Sequence, residues 1–189
     1  RDGLQKIEGC AFANCKSLSQ ITVPSTCKSI GEGAFSLCEQ LAVVDLWEGL
    51  EEIHRGAFCE CISLRSVQIP STVRVIDRSV FCFCKQLENV ELYEGELEEI
   101  SDHAFKSCIS LRSIRIPSLR VIGYESFGDC HALEEVELCE GLEQMGVNAF
   151  WNCTSLQYVR IPKSTKAVVG ARLEGGMTMP CFIPTLIFE

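Results

Sequence analysis

Two closely spaced pairs of cysteines are the strongest candidates for a metal-binding or redox site in this sequence. The segments AFCECISL and VFCFCKQL each contain a Cys-x-Cys pair, at Cys59 and Cys61 and at Cys82 and Cys84. Four thiolates that converge tetrahedrally would bind Zn²⁺. A thiol-based metal or redox site therefore depends on the elements that carry these cysteines and on whether all four sulfur atoms face one point.

A repeat of about 23 residues places these cysteines. The pattern Phe-x-x-Cys, preceded by Ala, Val or Ser, occurs seven times, with its Phe at positions 12, 35, 58, 81, 105, 127 and 150. The steps between successive Phe residues are 23, 23, 23, 24, 22 and 23 residues. The longer and the shorter step arise in connecting turns, where a change of length is tolerated. Because one unit is too small to bury its own apolar residues, the seven cycles are predicted to stack into a solenoid with a continuous core.

Each cycle predicts the same succession of elements. L-x-x-V-x-I alternates as a strand does, with Val67 and Ile69 inward and Gln68 outward. The shorter L/V-x-x-I step predicts a second extended segment. The spacing of three in A-F-x-x-C predicts a short helical or 3₁₀ turn. Strands of successive cycles should stack in parallel about 4.8 Å apart.

The combined pattern L-x-x-I-x-I-P-x-x-V-x-x-I-x-x-x-A-F-x-x-C resembles the leucine-rich repeat of the BspA-like, or Treponema-type, class. The resemblance covers residues 1–162, with an N-terminally incomplete first cycle. It implies a repeat solenoid, a leucine-rich-repeat right-handed coil with stacked parallel β-strands and short helical or 3₁₀ turns. Residues 163–189 are predicted to be a degenerate half-repeat and an apolar tail without a strand in register. We favour a tail that packs as a cap on the open end of the core; a disordered tail and the stub of a longer chain are the alternatives.

The repeat gives most of the cysteines a packing role. One slot, three residues after the Phe, is filled in every cycle by Cys15, Cys38, Cys61, Cys84, Cys108, Cys130 and Cys153. We call this column the cysteine ladder and predict that its thiols lie in the core without evident partners, because free cysteine packs as a small hydrophobic residue. Cys59 and Cys82 fall in an outward slot of neighbouring cycles. That placement argues against a zinc site and leaves a disulfide between them open, provided that their Cα atoms lie within about 7 Å.

Composition and motifs exclude several classes of function. The net charge of −9, from 17 basic and 26 acidic residues, argues against nucleic acid or an anionic membrane as partner. No apolar run is long enough for membrane insertion as a helix. The three histidines, His54, His103 and His131, lie in different slots, and the sequence has no phosphate loop, nucleophile elbow or H-E-x-x-H motif. We therefore expect no enzyme activity and no cofactor.

Outward-facing residues beside the long strands form the candidate binding surface. The residue after each long strand alternates between proline and a mostly aromatic residue, and the column reads Pro24, Trp47, Pro70, Tyr93, Pro117, Cys139 and Pro162. Outward strand positions alternate in charge, so that Arg112 neighbours Glu88 and Glu134, and Arg115 and Arg160 flank Glu137. The predicted partner-binding residues are Trp47, Tyr93, Arg65, Arg112, Arg115, Tyr158 and Arg160.

The turns of every second cycle carry an excess of carboxylates. Nine of them should reach equivalent places, namely Glu48, Glu51, Glu52, Glu94, Glu96, Glu98, Glu99, Glu140 and Glu143. They would form either a solvated ridge or a patch for a basic partner.

The expected function is a non-catalytic binding scaffold that acts through protein–protein interaction. The family resemblance also implies an alternative, a cell-surface or secreted adhesin. The thiol-based metal or redox site is the third reading. The compartment stays open, because buried free thiols favour a reducing one whereas many BspA-like proteins are surface or secreted.

Overall fold

The computed structural model describes residues 3–138, 141–161 and 185–188. In this part of the chain the seven cycles are seven stacked turns of a solenoid, called rungs 1 to 7 after the Phe of each cycle. Every rung contributes one short strand and one longer strand. Among the described residues, the chain forms no helix with the length and hydrophobicity needed to cross a membrane.

The short strands form one continuous, parallel, seven-stranded sheet. They are β1 (Lys6–Ile7), β3 (Ser29–Ile30), β5 (Glu52–Ile53), β7 (Val75–Ile76), β9 (Glu99–Ile100), β11 (Val121–Ile122) and β13 (Gln144–Met145). The second residue of each strand points into the core and is buried. The predicted second extended segment is therefore confirmed.

The longer strands also run parallel, but they divide into three sheets. They are β2 (Gln20–Thr22), β4 (Val43–Asp45), β6 (Ser66–Ile69), β8 (Asn89–Leu92), β10 (Ser113–Ile116), β12 (Glu135–Leu138) and β14 (Tyr158–Ile161). β2 pairs with β4 and β6 with β8, whereas β10, β12 and β14 share a sheet with the last strand, β15 (Thr185–Phe188). The gap between β8 and β10 coincides with the step of 24 residues. Parallel stacking is confirmed, although its sheet is interrupted on this side.

Strand β15 corrects one expectation about the tail. Thr185 pairs with Tyr158 and Phe188 with Ile161, so TLIF continues the sheet in parallel register beyond rung 7. The edge of β14 offers unpaired backbone groups that an apolar, partly β-branched segment such as TLIF can satisfy. The prediction of a tail without a strand in register is therefore wrong for residues 185–188. The predicted half-repeat, residues 163–184, lies outside the described residues.

The A-F-x-x-C stretch is a series of β-turns and not the predicted helical or 3₁₀ turn. In rung 2 the N–H groups of Ser36 and Cys38 bond to carbonyls three residues earlier, at 3.0 and 3.3 Å. The N–H groups of Phe35 and Leu37 bond instead to carbonyls of rung 3, each at 2.8 Å. This alternation arises because the residues two before and two after each Phe have left-handed backbone angles, as at Leu37 with φ 61°. The turns therefore bond rung to rung, as strands do.

The seven Phe residues of the repeat form one stack through the core. Their ring centroids are 5.2 to 5.6 Å apart, and the interplanar angles range from 2° to 14°. The five central rings are completely buried, whereas Phe12 in rung 1 is 40% exposed. The stack confirms the prediction that residues at the same position of successive cycles lie directly above one another.

Candidate functional site

Each thiol of the cysteine ladder beyond the first rung has a hydrogen-bond acceptor. The sulfur atoms of Cys38, Cys61, Cys84, Cys108, Cys130 and Cys153 lie 3.1 to 3.2 Å from the Phe carbonyl oxygen of the preceding rung. The same carbonyl accepts a backbone bond in its own rung, as Phe35 O does from Cys38 N at 3.3 Å. The predicted core position is confirmed for these six cysteines, whereas Cys15 of rung 1 is half-buried. The expectation that the thiols lack partners is wrong for the six.

Burial favours the protonated form of the ladder thiols in rungs 3 to 6. It raises the pKa of the Cys61 thiol, and it raises those of Cys84, Cys108 and Cys130 well above the ordinary value. Thiolates bind metals and act as nucleophiles, whereas protonated thiols do neither. The ladder is therefore a structural feature.

The four thiols of the two Cys-x-Cys pairs do not converge. Cys61 and Cys84 turn towards the Phe carbonyls, whereas Cys82 forms a side-chain hydrogen bond with Cys59. Cys59 is half-buried and Cys82 is only 6% exposed, but neither belongs to the hydrophobic core cluster that contains Cys61 and Cys84. Cys82 is therefore covered by its surroundings without being part of the core. The same slot of the next rung holds the long side chain of Lys106, which is itself mostly buried. Within residues 3–138 and 141–161, no three His, Cys, Asp or Glu side chains are arranged as a metal site.

The three histidines each contact a different part of the molecule. His54 Nε2 lies 3.2 Å from a carboxylate oxygen of Glu52, and His103 Nε2 lies 3.7 Å from one of Glu125. His131 Nδ1 lies 3.1 Å from the carbonyl oxygen of Asn152. The structure does not bring the histidines together.

Sequence reasoning missed a buried ion pair on the turn side. Glu125 is 8% exposed, and Lys106 of the preceding rung donates to its carboxylate at 2.5 Å. Burial alone would raise the pKa of Glu125, but hydrogen bonds from Lys106 and from the Tyr124 hydroxyl outweigh it and lower that pKa. The sequence did contain a signal for this pair. Two residues before the repeat Phe, the other rungs have small, amide or imidazole side chains, and only Glu125 has a carboxylate.

The structure places the two predicted aromatic residues in one exposed column. Trp47 in rung 2 is 54% exposed and Tyr93 in rung 4 is 47% exposed. The proline between them, Pro70, is buried. The Tyr93 hydroxyl lies 3.5 Å from Glu91 of its own strand. The last two members of this column, Cys139 and Pro162, lie outside the described residues.

The predicted arginines lie beside this column and differ in their surroundings. Arg65, Arg112 and Arg115 are exposed, whereas Arg160 and Tyr158 are half-buried. Among the described residues neither Arg65 nor Arg112 forms an ion pair.

Register pairs Arg115 with Glu137 and Glu137 with Arg160, as predicted. Arg115 Nε lies 3.8 Å from Glu137. Arg160 Nε instead lies 4.0 Å from Glu135, and its guanidinium lies 5.3 Å from the centre of the Tyr158 ring. The neighbourhood predicted for Glu88 and Arg112 falls at the gap between β8 and β10, where no strand ladder forms.

The predicted carboxylate ridge is partly neutralised. Glu96 lies 3.9 Å from Arg74 of the preceding rung. Three further members pair with basic residues of the preceding rung, in the pairs Lys28–Glu51, Arg74–Glu98 and Arg120–Glu143. All six residues share one column in which basic and acidic side chains alternate, a pattern that is visible in the sequence. Glu140 lies outside the described residues.

Several carboxylates of this ridge, together with Asp77, line a shallow depression on the outer face of the short-strand sheet. It is bordered by Glu51, Glu52, His54, Thr72, Arg74, Val75, Asp77, Glu96, Glu98, Glu99 and Ser101. The depression is open and polar, and acidic side chains outnumber basic ones in it. It lies on the other sheet from Trp47 and Tyr93 and so offers a matched comparison surface.

The comparisons with known proteins agree with this architecture. The chain matches the family model described as BspA type leucine rich repeat region in six copies, over residues 1–88 and 51–171. No curated protein sequence matches it. A leucine-rich repeat protein of Treponema pallidum is similar in structure, with 34% identity, a TM-score of 0.73 and coverage of 80% of this chain and 71% of that one.

Two more distant structures share the fold. A leucine-rich repeat protein of Eubacterium ventriosum has 23% identity and a TM-score of 0.69, and the match covers 79% of this chain and 41% of that one. A leucine rich cell surface protein of Faecalibacterium prausnitzii has 20% identity and a TM-score of 0.52, with coverage of 85% and 71%. At these identities the similarity concerns the fold alone.

Proposed function

We propose that this chain, which belongs to the BspA type leucine-rich repeat family, is a non-catalytic scaffold that binds a protein partner on its long-strand side. The observation that carries the proposal is the exposure of Trp47 and Tyr93, 54% and 47%, in one column beside outward-facing arginines. Trp, Tyr and Arg are the residues that most often dominate the binding energy of protein interfaces.

The spacing of these residues suits a macromolecule. Trp47 and Tyr93 lie two rungs apart, which corresponds to about 10 Å. Seven rungs extend the long-strand side over about 29 Å. A surface of this length that is open along its whole extent fits a folded protein or an extended chain better than a small molecule, because small-molecule sites are concave and enclose their ligand.

Charge on the long-strand side indicates what the partner presents. Arg65 and Arg112 are exposed on rungs 3 and 5, on either side of the rung that carries Tyr93, and each guanidinium is available to a carboxylate. We therefore expect the partner to offer acidic side chains next to an apolar group that covers Tyr93.

A role without catalysis is in keeping with the chemistry of the described residues. The ladder thiols donate to carbonyl groups, and the histidines contact separate residues. A nucleophile and a general base that act together must lie within hydrogen-bond reach of each other.

The test compares two faces of the same molecule. Immobilised wild-type protein is used to capture partners, which are quantified by mass spectrometry, and the retained partner is then titrated against each variant. We expect Trp47→Ala with Tyr93→Ala to weaken the affinity at least about tenfold, since aromatic hot spots contribute 2 kcal/mol or more. Arg65→Glu with Arg112→Glu should act in the same direction.

The matched control is Glu52→Gln with Glu99→Gln on the short-strand sheet, which should leave the affinity unchanged. If the control weakened binding and the aromatic variant did not, the interface would lie in the acidic depression and the proposal would be wrong. Failure of the wild type to retain any protein would also contradict it.

A further inference from the structure

Cys59 and Cys82 are neighbours across the boundary between rungs 3 and 4. They follow Phe58 and Phe81 directly, whose ring centroids are 5.6 Å apart. The N–H group of Glu60 donates to the carbonyl of Cys82 at 2.8 Å, which fixes the two turns against each other. Equivalent positions of stacked parallel rungs lie about 4.8 Å apart, which falls within the range of about 4.4–6.8 Å between Cα atoms that a disulfide requires.

We propose that Cys59 and Cys82 form an oxidation site, at which a hydroperoxide converts the two thiols into a disulfide that joins rungs 3 and 4. Both cysteines are free thiols in the structure. The site is independent of the partner-binding surface, because it lies on the turn side of the solenoid.

The cysteine ladder shows why this pair differs from the other thiols. Cys61 and Cys84 are stacked on the same two rungs, but both sulfur atoms point to the Phe carbonyl of the preceding rung at 3.2 Å, so they are aligned and not opposed. Both are completely buried. Cys82 instead shares a hydrogen bond with Cys59, and Cys59 is half-buried, so an oxidant can reach one sulfur of this pair.

Cys59 is suited to react with the oxidant, and Cys82 is suited to form the disulfide afterwards. The hydrogen bond from Cys82 lowers the pKa of Cys59 despite its burial and the nearby Glu60, which favours the nucleophilic thiolate there. The hydrogen bond with Cys59, together with burial, raises the pKa of Cys82, which therefore keeps its proton until the second step. This combination of an accessible nucleophile and an adjacent resolving thiol is typical of oxidation-sensitive cysteine pairs.

The reaction balances with hydrogen peroxide as the oxidant. The Cys59 thiolate attacks one peroxide oxygen, the O–O bond breaks, and Cys59 becomes a sulfenic acid. The departing hydroxide takes up the proton that the Cys59 thiol released and becomes the first water. The Cys82 sulfur then attacks the Cys59 sulfur, so that the S–S bond forms and the S–O bond breaks. The departing hydroxide takes the Cys82 proton and leaves as water. The two thiols lose two electrons in total, and one peroxide is reduced to two waters.

Peptide mapping of the native protein tests the site. The protein is treated with a small excess of hydrogen peroxide, quenched with catalase, blocked with N-ethylmaleimide in denaturant and digested with trypsin without reduction. Cleavage should release residues 56–65 and 79–85, and we expect these two peptides to be joined, with fragmentation placing the link at Cys59 and Cys82. The melting temperature of the oxidised protein should rise by about 5 °C, because the link restricts the unfolded chain.

Single substitutions separate the two steps. Cys59→Ser should give no link between the peptides and no melting shift. Cys82→Ser should leave Cys59 as a sulfenic acid that dimedone traps. The proposal is overturned if Cys59 and Cys82 stay free while the exposed Cys10 is oxidised, or if the link joins Cys61 to Cys84.

Discussion

The turn side of the solenoid and its long-strand side belong to the same seven rungs but differ in regularity. On the turn side, the Phe stack continues through all seven rungs at 5.2 to 5.6 Å, and the thiol–carbonyl bonds of the cysteine ladder recur in six of them. On the long-strand side, the strands divide into three sheets. The turn side repeats because the same residues recur in each column, whereas the long-strand columns alternate proline with aromatic residues and arginine with glutamate.

The difference indicates that buried, identical contacts and exposed, varied side chains are concentrated on different sides of the rung. Buried, identical contacts act together along the stack, and each rung depends on its neighbours for them. Exposed, varied side chains contribute little to folding and are free to bind other molecules. The predictions below test this division by making matched substitutions on the two sides.

The largest effect is expected in the middle of the Phe stack. Phe81 is completely buried and its ring lies between those of Phe58 and Phe105, at 5.6 and 5.4 Å. Phe81→Ala should lower the free energy of unfolding by about 3–5 kcal/mol, because it removes a large buried side chain and leaves a cavity. Chemical denaturation followed by circular dichroism measures the loss.

Two matched variants serve as controls for this prediction. Phe12→Ala, at the 40% exposed end of the stack, should cost clearly less than Phe81→Ala. Trp47→Ala, on the long-strand side, should change the free energy of unfolding by about 0.5 kcal/mol or less. An equal loss for Trp47→Ala would mean that the two sides share the stability and that the comparison does not hold.

The second largest effect is expected for the buried carboxylate of the turn side. Glu125→Gln removes the charge that Lys106 pairs with at 2.5 Å and should lower the free energy of unfolding by about 1.5–3 kcal/mol at neutral pH. The pKa of Glu125 is lowered in the folded protein, so this contribution is present above the ordinary Glu pKa and is lost as the pH falls through the folded-state value.

The difference between wild type and Glu125→Gln should therefore narrow in acid. Urea titrations at pH 7 and at about pH 3 measure it. Glu137→Gln, at the exposed partner of Arg115, serves as the control and should show a smaller loss at neutral pH. A pH-independent difference for Glu125→Gln would show that its carboxylate is not stabilised by Lys106.

The third effect concerns the thiol–carbonyl bonds. Cys84→Ala removes a donor that lies 3.2 Å from Phe58 O and leaves a small void in a completely buried slot. The free energy of unfolding should fall by about 1–2 kcal/mol. Cys10→Ala applies the same substitution to an exposed cysteine and should change it by less than about 0.5 kcal/mol. Equal losses of unfolding free energy for the two variants would contradict a structural role of the cysteine ladder.

The sequence predicted those features of the fold that depend on which residue occupies a column, and it missed those that depend on backbone angles. The repeat alone identified the buried Phe and Cys columns, because a residue that recurs at one slot of stacked units meets its own copies. It missed the alternating turn bonds, since these require left-handed angles at residues such as Leu37 and Phe83. Side chains of that kind disfavour this conformation, so the spacing of three pointed to a helical turn instead. The Lys106–Glu125 pair was missed because it joins residues of different columns.

The smallest effect is expected for the charge pairs of the long-strand side. Arg115 and Glu137 face each other across β10 and β12 at 3.8 Å, and the arginine side chain is 68% exposed. A double-mutant cycle with Arg115→Ala and Glu137→Ala should give a coupling energy of about 0–1 kcal/mol, because water screens both groups. The coupling should vanish in 1 M salt, where the screening length falls to about 3 Å.

The same cycle on Lys106 and Glu125 should keep most of its coupling in salt, since both side chains are largely buried, with 25% and 11% exposure. A coupling of Arg115 with Glu137 that survived salt would assign a stabilising role to the long-strand side. It would then be impossible to alter the arginines there without disturbing the fold. A weak and salt-sensitive coupling would mean that the ion pair of Arg115 with Glu137 contributes little to the stability of the fold, so that substitutions of Arg115 can test partner binding without unfolding the protein.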